Sequence, residues 1–537
     1  MTKKEALEKY FKNIKSFADV QEQTIDSVLE GNNVLCLMPT GGGKSLIYQI
    51  AGLCIEKTAI IISPLVALMN QQSKEMTDKG ISTISFSGMD YKKQFKTITD
   101  MANGAMPQYI FSSPERISSD GYLEYVLYKR KDDIGLVVVD EVHCISQWGE
   151  GFRPAYKNIP LFLDRIFGDG NWPATLCLTA TLNEEQQNQI KDEFHITKLI
   201  KGENLWRKNL NLEIYNLKDG KEDTKDAELE KIIEKHQGEK ILVFAHRVYG
   251  NHPTTRTLYE KYKDIYEGVA YFDSRADDKY KEEVLEGFKD GSVKIVFATS
   301  AFGMGVDIPD IRVVVNYLIS ETVEQYYQEV GRGGRDKNPA YGYLLYTNQS
   351  KRGRRMLLNQ SLCTEKDLID VYEDRKPKGD LPFGHVSYED MNEEQKIAFA
   401  LLQEYGVFSV VAKGLSSIRC LDALTPKGQE FLDSLKQYAR NGSTSVIAKK
   451  SGKNINSLIL SIWDMCSQRQ LQMKLAPDRN LFYVPGTEFD EAVKEKILAD
   501  QDEKKRLRVE KFEMFVESIE AGCTAEELIK EALDIGE

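Results

Sequence analysis

Ten short apolar runs decide what this chain can fold into. Five precede residue 200: VLCLM (34–38), AIIIS (59–63), YIFSS (109–113), LVVVD (136–140) and TLCLTA (175–180). Each has the length of a strand, is continuous rather than alternating, and is followed by a helical stretch. A strand with no polar face has to be covered on both sides, which means a parallel sheet between helix layers. The polar stretch LKDGKEDTKDAELE (217–230) interrupts the series, and KILVFAH (240–246), GVAYF (268–272), KIVFATS (294–300), RVVVNY (312–317) and YGYLLYT (341–347) resume it. The fold class is therefore α/β, with two tandem parallel-sheet domains over 1–207 and 208–350.

The texture changes after 350. Lys351, Arg352, Arg354 and Arg355 form a basic cluster that leads into a Pro/Gly-rich linker (351–390 in all). Within 391–490, STSVIAKKSGKNINSLILSIWDMCSQRQL reads as helix, glycine turn and helix, and LQMKLAPDRNLFYVP as a short hairpin. That order predicts a winged-helix-like accessory region. Residues 491–537 read as a charged helical tail.

Composition narrows the function classes. No apolar run approaches the ~20 residues of a bilayer span, and the start MTKKEALEKYFKNIK has no apolar core, so neither membrane nor signal peptide is expected. Eight cysteines without a CxxC pair predict reduced thiols in a cytoplasmic protein, with no zinc expected. Lys plus Arg total 71 against 83 Asp plus Glu, a net charge of −12, which disfavours a non-specific nucleic-acid coat but says nothing about a single groove.

Three elements carry chemistry. The run VLCLM leads directly into PTGGGKS (39–45) and then an apolar helix, the phosphate-loop order. Around Thr40, Gly41, Gly42 and Gly43 the backbone can turn its N–H groups toward phosphate oxygens; Lys44 can reach the terminal phosphates, and Ser45 can offer its hydroxyl to Mg²⁺. Met38 stands where the strict pattern has its first glycine. At the end of LVVVDEVH, Asp140 can hold Mg²⁺ and Glu141 can orient and deprotonate water, with His143 as a coupling residue. In QYYQEVGRGGRD (325–336), Gln328, Arg332 and Arg335 span about two turns, a spacing suited to arginine fingers on a transferred phosphoryl group.

These segments, with IISPLVALMNQQ (61–72), SSPERI (112–117), DEVHCISQWGEGFRPAY (140–156), LTATLN (178–183) and ATSAFGMGVDIPDIR (298–312), resemble in order the RecQ helicases of superfamily 2 over about residues 11–347. The resemblance implies two RecA-like domains and an ATP- and Mg²⁺-dependent helicase. Its partner would be DNA, single-stranded and as forked or tailed duplex, with movement 3′ to 5′ in repair, recombination or genome defence. It puts Gln21 on the adenine, Gly305 and Asp307 beside the nucleotide, and Thr179 and Thr181 between hydrolysis and movement. It puts Ser63, Pro64 and Thr299 on the nucleic-acid path. Trp148 and Phe152 offer faces for base stacking and Arg153 a phosphate or cation–π contact. The family's four-cysteine zinc subdomain has no counterpart here, since Cys363 stands alone. An RNA helicase, a translocase that does not unwind, and a non-catalytic nucleic-acid scaffold are the alternatives; protein partners would bind through the C-terminal region.

Overall fold

All ten apolar runs become strands in the computed structural model, which describes residues 1–39, 41–64, 66–145, 153–180, 182–202, 206–247, 253–303, 308–474 and 479–533. The first sheet contains β1 (Val34–Leu37), β2 (Thr58–Ile62), β3 (Thr83–Ser85), β4 (Tyr109–Ser112), β5 (Ile134–Asp140), β6 (Ala174–Thr179) and β7 (Lys198–Lys201). Its order is β3-β4-β2-β5-β6-β1-β7, parallel throughout. The second sheet contains β8 (Leu210–Asn216), β9 (Ile241–Phe244), β10 (Val269–Phe272), β11 (Ile295–Ala298), β12 (Val313–Asn316) and β13 (Ala340–Tyr346), ordered β10-β11-β9-β12-β13-β8 and again parallel. Parallel strands bring all their carboxyl ends to one edge, where α/β proteins build their sites. In register Leu37 lies opposite Thr179 and Asp140 opposite Leu178, so the ends of β1, β6 and β5 are side by side.

The accessory region is more mixed than its sequence suggests. Strands β14 (Gly384–Ser387), β15 (Phe408–Gly414), β16 (Leu421–Ala423), β17 (Leu471–Met473) and β18 (Asn480–Pro485) form two antiparallel sheets, β14-β18-β15 and β16-β17. The helix-turn-helix is present: Thr444–Ser451 ends at Gly452 (φ +68), and Asn454 caps Ile455–Ser467. The hairpin expected over 471–485 is not. β17 pairs with β16 and β18 with β14 and β15, because the apolar residues of the two strands are buried in different sheets.

The second helix of this pair packs on the first α/β domain. Trp463 lies 5.2 Å from the Tyr122 ring and donates Nε1–H to the Lys413 carbonyl, while the buried Lys413 amine pairs with Glu124 at 2.6 Å. A Cβ added at Gly121 would come within 1.9 Å of that same Lys413 carbonyl oxygen. Gly121→Ala is therefore expected to loosen the docking, destabilising it by roughly 1–3 kcal/mol, in the range of other overpacking substitutions. Hydrogen exchange of 408–473 reads this directly; unaltered protection would show that the contact can relax.

The tail is a 30-residue helix, Glu491–Glu520, about 45 Å long at 1.5 Å per residue, followed by Ala525–Ala532. Ile497 lies in the accessory core, whereas Phe512, Phe515, Val516 and Ile519 lie in the core of the second α/β domain. The helix meets two members of the basic cluster, while Arg352 stays exposed. Lys351 and Arg355 pair with Glu513 at 2.9 and 3.4 Å, and Arg354 is buried, donating Nε–H to the Ile319 carbonyl.

Candidate nucleotide and nucleic-acid site

The phosphate loop is shaped by two glycines with left-handed backbone, Gly41 (φ +77) and Gly43 (φ +82), the second of which opens the helix Lys44–Ile55. A side chain at Gly42 would come within 2.9 Å of the Met38 methyl, so Met38 packs beneath the turn. Gln21 secures the loop from outside: its carboxamide N–H donates to the Gly42 and Gly43 carbonyls at 3.1 and 3.2 Å, and its oxygen accepts from Ala18 N–H. The carboxamide expected on adenine is thus engaged on the loop itself.

Lys44, partly buried, extends to within 3.7 Å of Glu141, and its ammonium has no hydrogen-bond partner among the described residues. A buried ammonium with unfilled donors suits an incoming phosphate oxygen. The Ser45 hydroxyl accepts from Gln72 at 2.8 Å, and Gln72 is also bonded to Tyr48 OH. Neither Gln72 nor Tyr48 stands out in the sequence, although Gln72 ends a segment whose apolar neighbours do.

At the end of β5, Asp140 accepts from Glu141 N–H at 3.0 Å and Ser63 Oγ–H at 3.4 Å, and its own carbonyl accepts from buried Tyr156 OH at 2.8 Å. Glu141 has φ +50, a strained conformation for a side chain of its size, which turns its carboxylate toward Lys44 and His143. Burial, then the charge of Glu141, pushes the Asp140 carboxyl up. Burial acts on Glu141 in the same sense but is outweighed by Lys44, His143 and Arg332, which hold it below the usual carboxylate range. The Ser45 hydroxyl and the buried Asp140 carboxylate are oxygen donors of the kind a hard divalent cation takes. Ser45 and Asp140 would hold Mg²⁺, which when bound neutralises charge on the β- and γ-phosphates.

His143 Nδ1 lies 3.2 Å from Glu141 and 2.9 Å from the Thr179 hydroxyl, and the Thr179 carbonyl accepts from Met38 N–H at the mouth of the loop. Glu141, His143, Thr179 and the loop are thus one connected chain. From the second domain, Gln328 lies on the helix Val323–Val330, one turn before Arg332. Burial and then Arg335 lower the Arg332 guanidinium to about 9, and Arg332 in turn acts on Glu141. A methyl at Gly41 would be 3.4 Å from Arg335 Cγ. Both arginines therefore converge on the loop from across the cleft.

The nucleic-acid residues fare differently. Ser63 and Pro64 are buried: the Ser63 hydroxyl serves Asp140, and the Pro64 carbonyl accepts from Arg153, so neither offers a surface to a strand. Arg153 also pairs with Glu115 at 3.3 Å. Thr299 is buried after β11, its N–H on the Phe272 carbonyl. Thr40, Trp148, Phe152, Thr181, Gly305 and Asp307 lie outside the described residues.

Fold and site together define a P-loop protein of two RecA-like domains with arginines supplied across the cleft. Residues 18–190 match the DEAD/DEAH box helicase family, and residues 224–337 match the helicase conserved C-terminal domain. The ATP-dependent DNA helicase RecQ of Bacillus subtilis (strain 168) is 33% identical over 358 residues, 66% of this chain and 58% of its own length. The probable ATP-dependent DNA helicase RecS of the same organism is 29% identical over 375 residues, 69% of this chain and 72% of its own length. The chain thus spans under two thirds of the RecQ protein it matches. Among solved structures, the helicase MrfA bound to DNA shares the fold, with a TM-score of 0.52 at 17% identity over 76% of this chain and 61% of that one. The chain thus carries the two domain types of the DEAD/DEAH-box helicases and is similar to the RecQ and RecS proteins.

Proposed function

We propose that the protein is an ATP-dependent DNA helicase that moves 3′ to 5′ on single-stranded DNA and separates tailed or forked duplex. The observation that carries this reading is the convergence of Arg332 and Arg335 on a loop whose Lys44 already faces Glu141. ATP held there would have its terminal phosphates on Lys44 and the loop N–H groups. Glu141 would take the proton of the attacking water, and the arginines would stabilise charge on the transferred group. Hydrolysis removes what the arginines grip, so the cleft loosens and the two domains step along the strand. The eight free thiols suit a reducing cytoplasm.

ATPase rates with single-stranded DNA, duplex DNA and RNA at matched salt test the substrate; stronger stimulation by RNA would overturn DNA as the track. Unwinding of 3′-tailed, 5′-tailed and forked duplexes tests direction, and a preference for 5′ tails would reverse it. Trp148→Ala is expected to leave basal ATPase in place and to remove most of its stimulation by DNA, as loss of a stacking face worth about 1–3 kcal/mol per base requires. Undiminished stimulation would take Trp148 out of the DNA path.

A further inference from the structure

Six residues other than glycine have left-handed backbone among those described. Four of them, Glu56, His195, Lys337 and Arg469, are exposed, and Glu141 belongs to the nucleotide site. His246 (φ +55), two residues past the end of β9, is the buried one, its side chain wholly out of solvent. Left-handed backbone is uncommon for a residue with a side chain, and where that residue is also buried the surrounding structure has to hold it there.

What holds His246 is one carboxylate. The imidazole stacks on Phe244 at 5.5 Å, and its Nε2 lies 3.1 Å from Glu329 Oε1. Its Nδ1 has no hydrogen-bond partner among the described residues. Glu329 is buried too, and both of its oxygens are engaged. Oε1 accepts from Gln325 Nε2–H at 2.9 Å, and Oε2 accepts from Ser320 Oγ–H at 2.8 Å and from Asn316 Nδ2–H. Burial works against the Glu329 charge but is outweighed by His246, Ser320 and Arg354, which hold the carboxyl below its usual range. The carboxylate thus ties the helix Val323–Val330 to the ends of β9 and β12.

That helix leads into the glycine-rich turn 331–335, which carries Arg332 and Arg335. The Arg332 N–H donates to the Glu329 carbonyl at 3.2 Å, and the Glu329 charge acts on the Arg332 guanidinium. We propose that His246 is a positioning residue for this turn: it fixes the Glu329 carboxylate, and Glu329 fixes the direction from which Arg332 approaches the phosphate loop. The inference rests on the reading of Arg332 as an arginine finger. It gives the end of β9, which touches neither the phosphate loop nor the acidic pair, a part in hydrolysis. A displacement of about 1 Å in a group that stabilises a transition state costs on the order of a hundredfold in rate, so a misplaced Arg332 is felt in turnover before it is felt in binding.

The test compares His246→Leu with His246→Gln in the full chain. Both place a side chain of similar size on the same left-handed backbone, but only glutamine carries an N–H for the carboxylate. His246→Leu is expected to lower kcat about thirtyfold while the Kd of a fluorescent ATP analogue stays within about twofold of wild type. His246→Gln should recover most of that loss. Combined with Arg332→Ala, His246→Leu is expected to slow single-turnover hydrolysis no further, because a residue that acts through Arg332 then has nothing to position. A residue that merely supports the fold would lower both backgrounds alike. Wild-type kcat in His246→Leu, an equal loss in the leucine and glutamine variants, or the full loss repeated on Arg332→Ala overturns the inference. If His246→Leu does not fold, Glu329→Gln takes its place in the Arg332→Ala cycle, where wild-type kcat or an undiminished loss overturns the inference in the same way. A loss of less than about tenfold in Arg332→Ala alone fails the arginine-finger reading instead.

Discussion

Arg332→Ala is expected to lower ATP turnover by about a thousandfold, at the lower end of what arginine fingers contribute, while nucleotide affinity changes only severalfold. The asymmetry follows from where the side chain lies. It belongs to the second domain, is partly buried beside Arg335, and acts on Glu141, whereas the phosphate grip is supplied by the first domain's loop and Lys44. Removing it leaves that grip and takes away charge that matters only as the terminal phosphoryl group departs. Steady-state kcat beside the Kd of a fluorescent ATP analogue separates the two effects. A fall in kcat of less than tenfold would mean that Arg332 serves only to hold the domains together.

Glu141→Gln is expected to have the second large effect, a loss of about 10²–10⁴ in turnover, the range general-base removal gives. The amide keeps the volume and accepts no proton. It also removes the charge that now occupies Lys44 at 3.7 Å and that raises the Asp140 carboxyl. The variant should therefore bind ATP at least as tightly as the wild type and hold it unhydrolysed. Filter binding of labelled ATP with single-turnover hydrolysis checks both halves. Wild-type turnover in this variant would show that the water is activated elsewhere.

Much of this was legible in the chain because burial on two faces leaves an unambiguous trace. Nine of the ten continuous apolar runs are inner strands and the tenth is β10, at one edge of the second sheet; the residues ending β1, β5 and β6 are those that chemistry singled out. The other three edge strands left a weaker trace. β3 and β7 are three and four residues long, and β8, LNLEIYN, alternates because one side of it is partly open. The missing first glycine was no obstacle, since Met38 fills the space under the turn that Gly42 leaves open.

Long-range pairing was not legible. Nothing in LQMKLAPDRNLFYVP says that its two strands join different sheets, and nothing in SKRGRR says that Glu513, about 160 residues on, faces it. Nor does the sequence say that Ser63, just after β2, donates its hydroxyl to Asp140. The aromatic loop and the 304–307 segment fall outside what is described, so their roles rest on sequence.

The helix Glu491–Glu520 gives the molecule a closed linkage. The accessory region is fastened to the first α/β domain through Lys413 and Glu124, the helix runs from that region to the second domain, and the nucleotide cleft completes the circuit. In such a ring no joint turns alone. A 5° swing of a rod about 45 Å long moves its far end by about 4 Å, roughly the width of a side-chain contact. In the proposed motor, each opening of the cleft would be absorbed as bending or slip somewhere along the rod, and the work of ATP would be divided between the track and the protein's own frame.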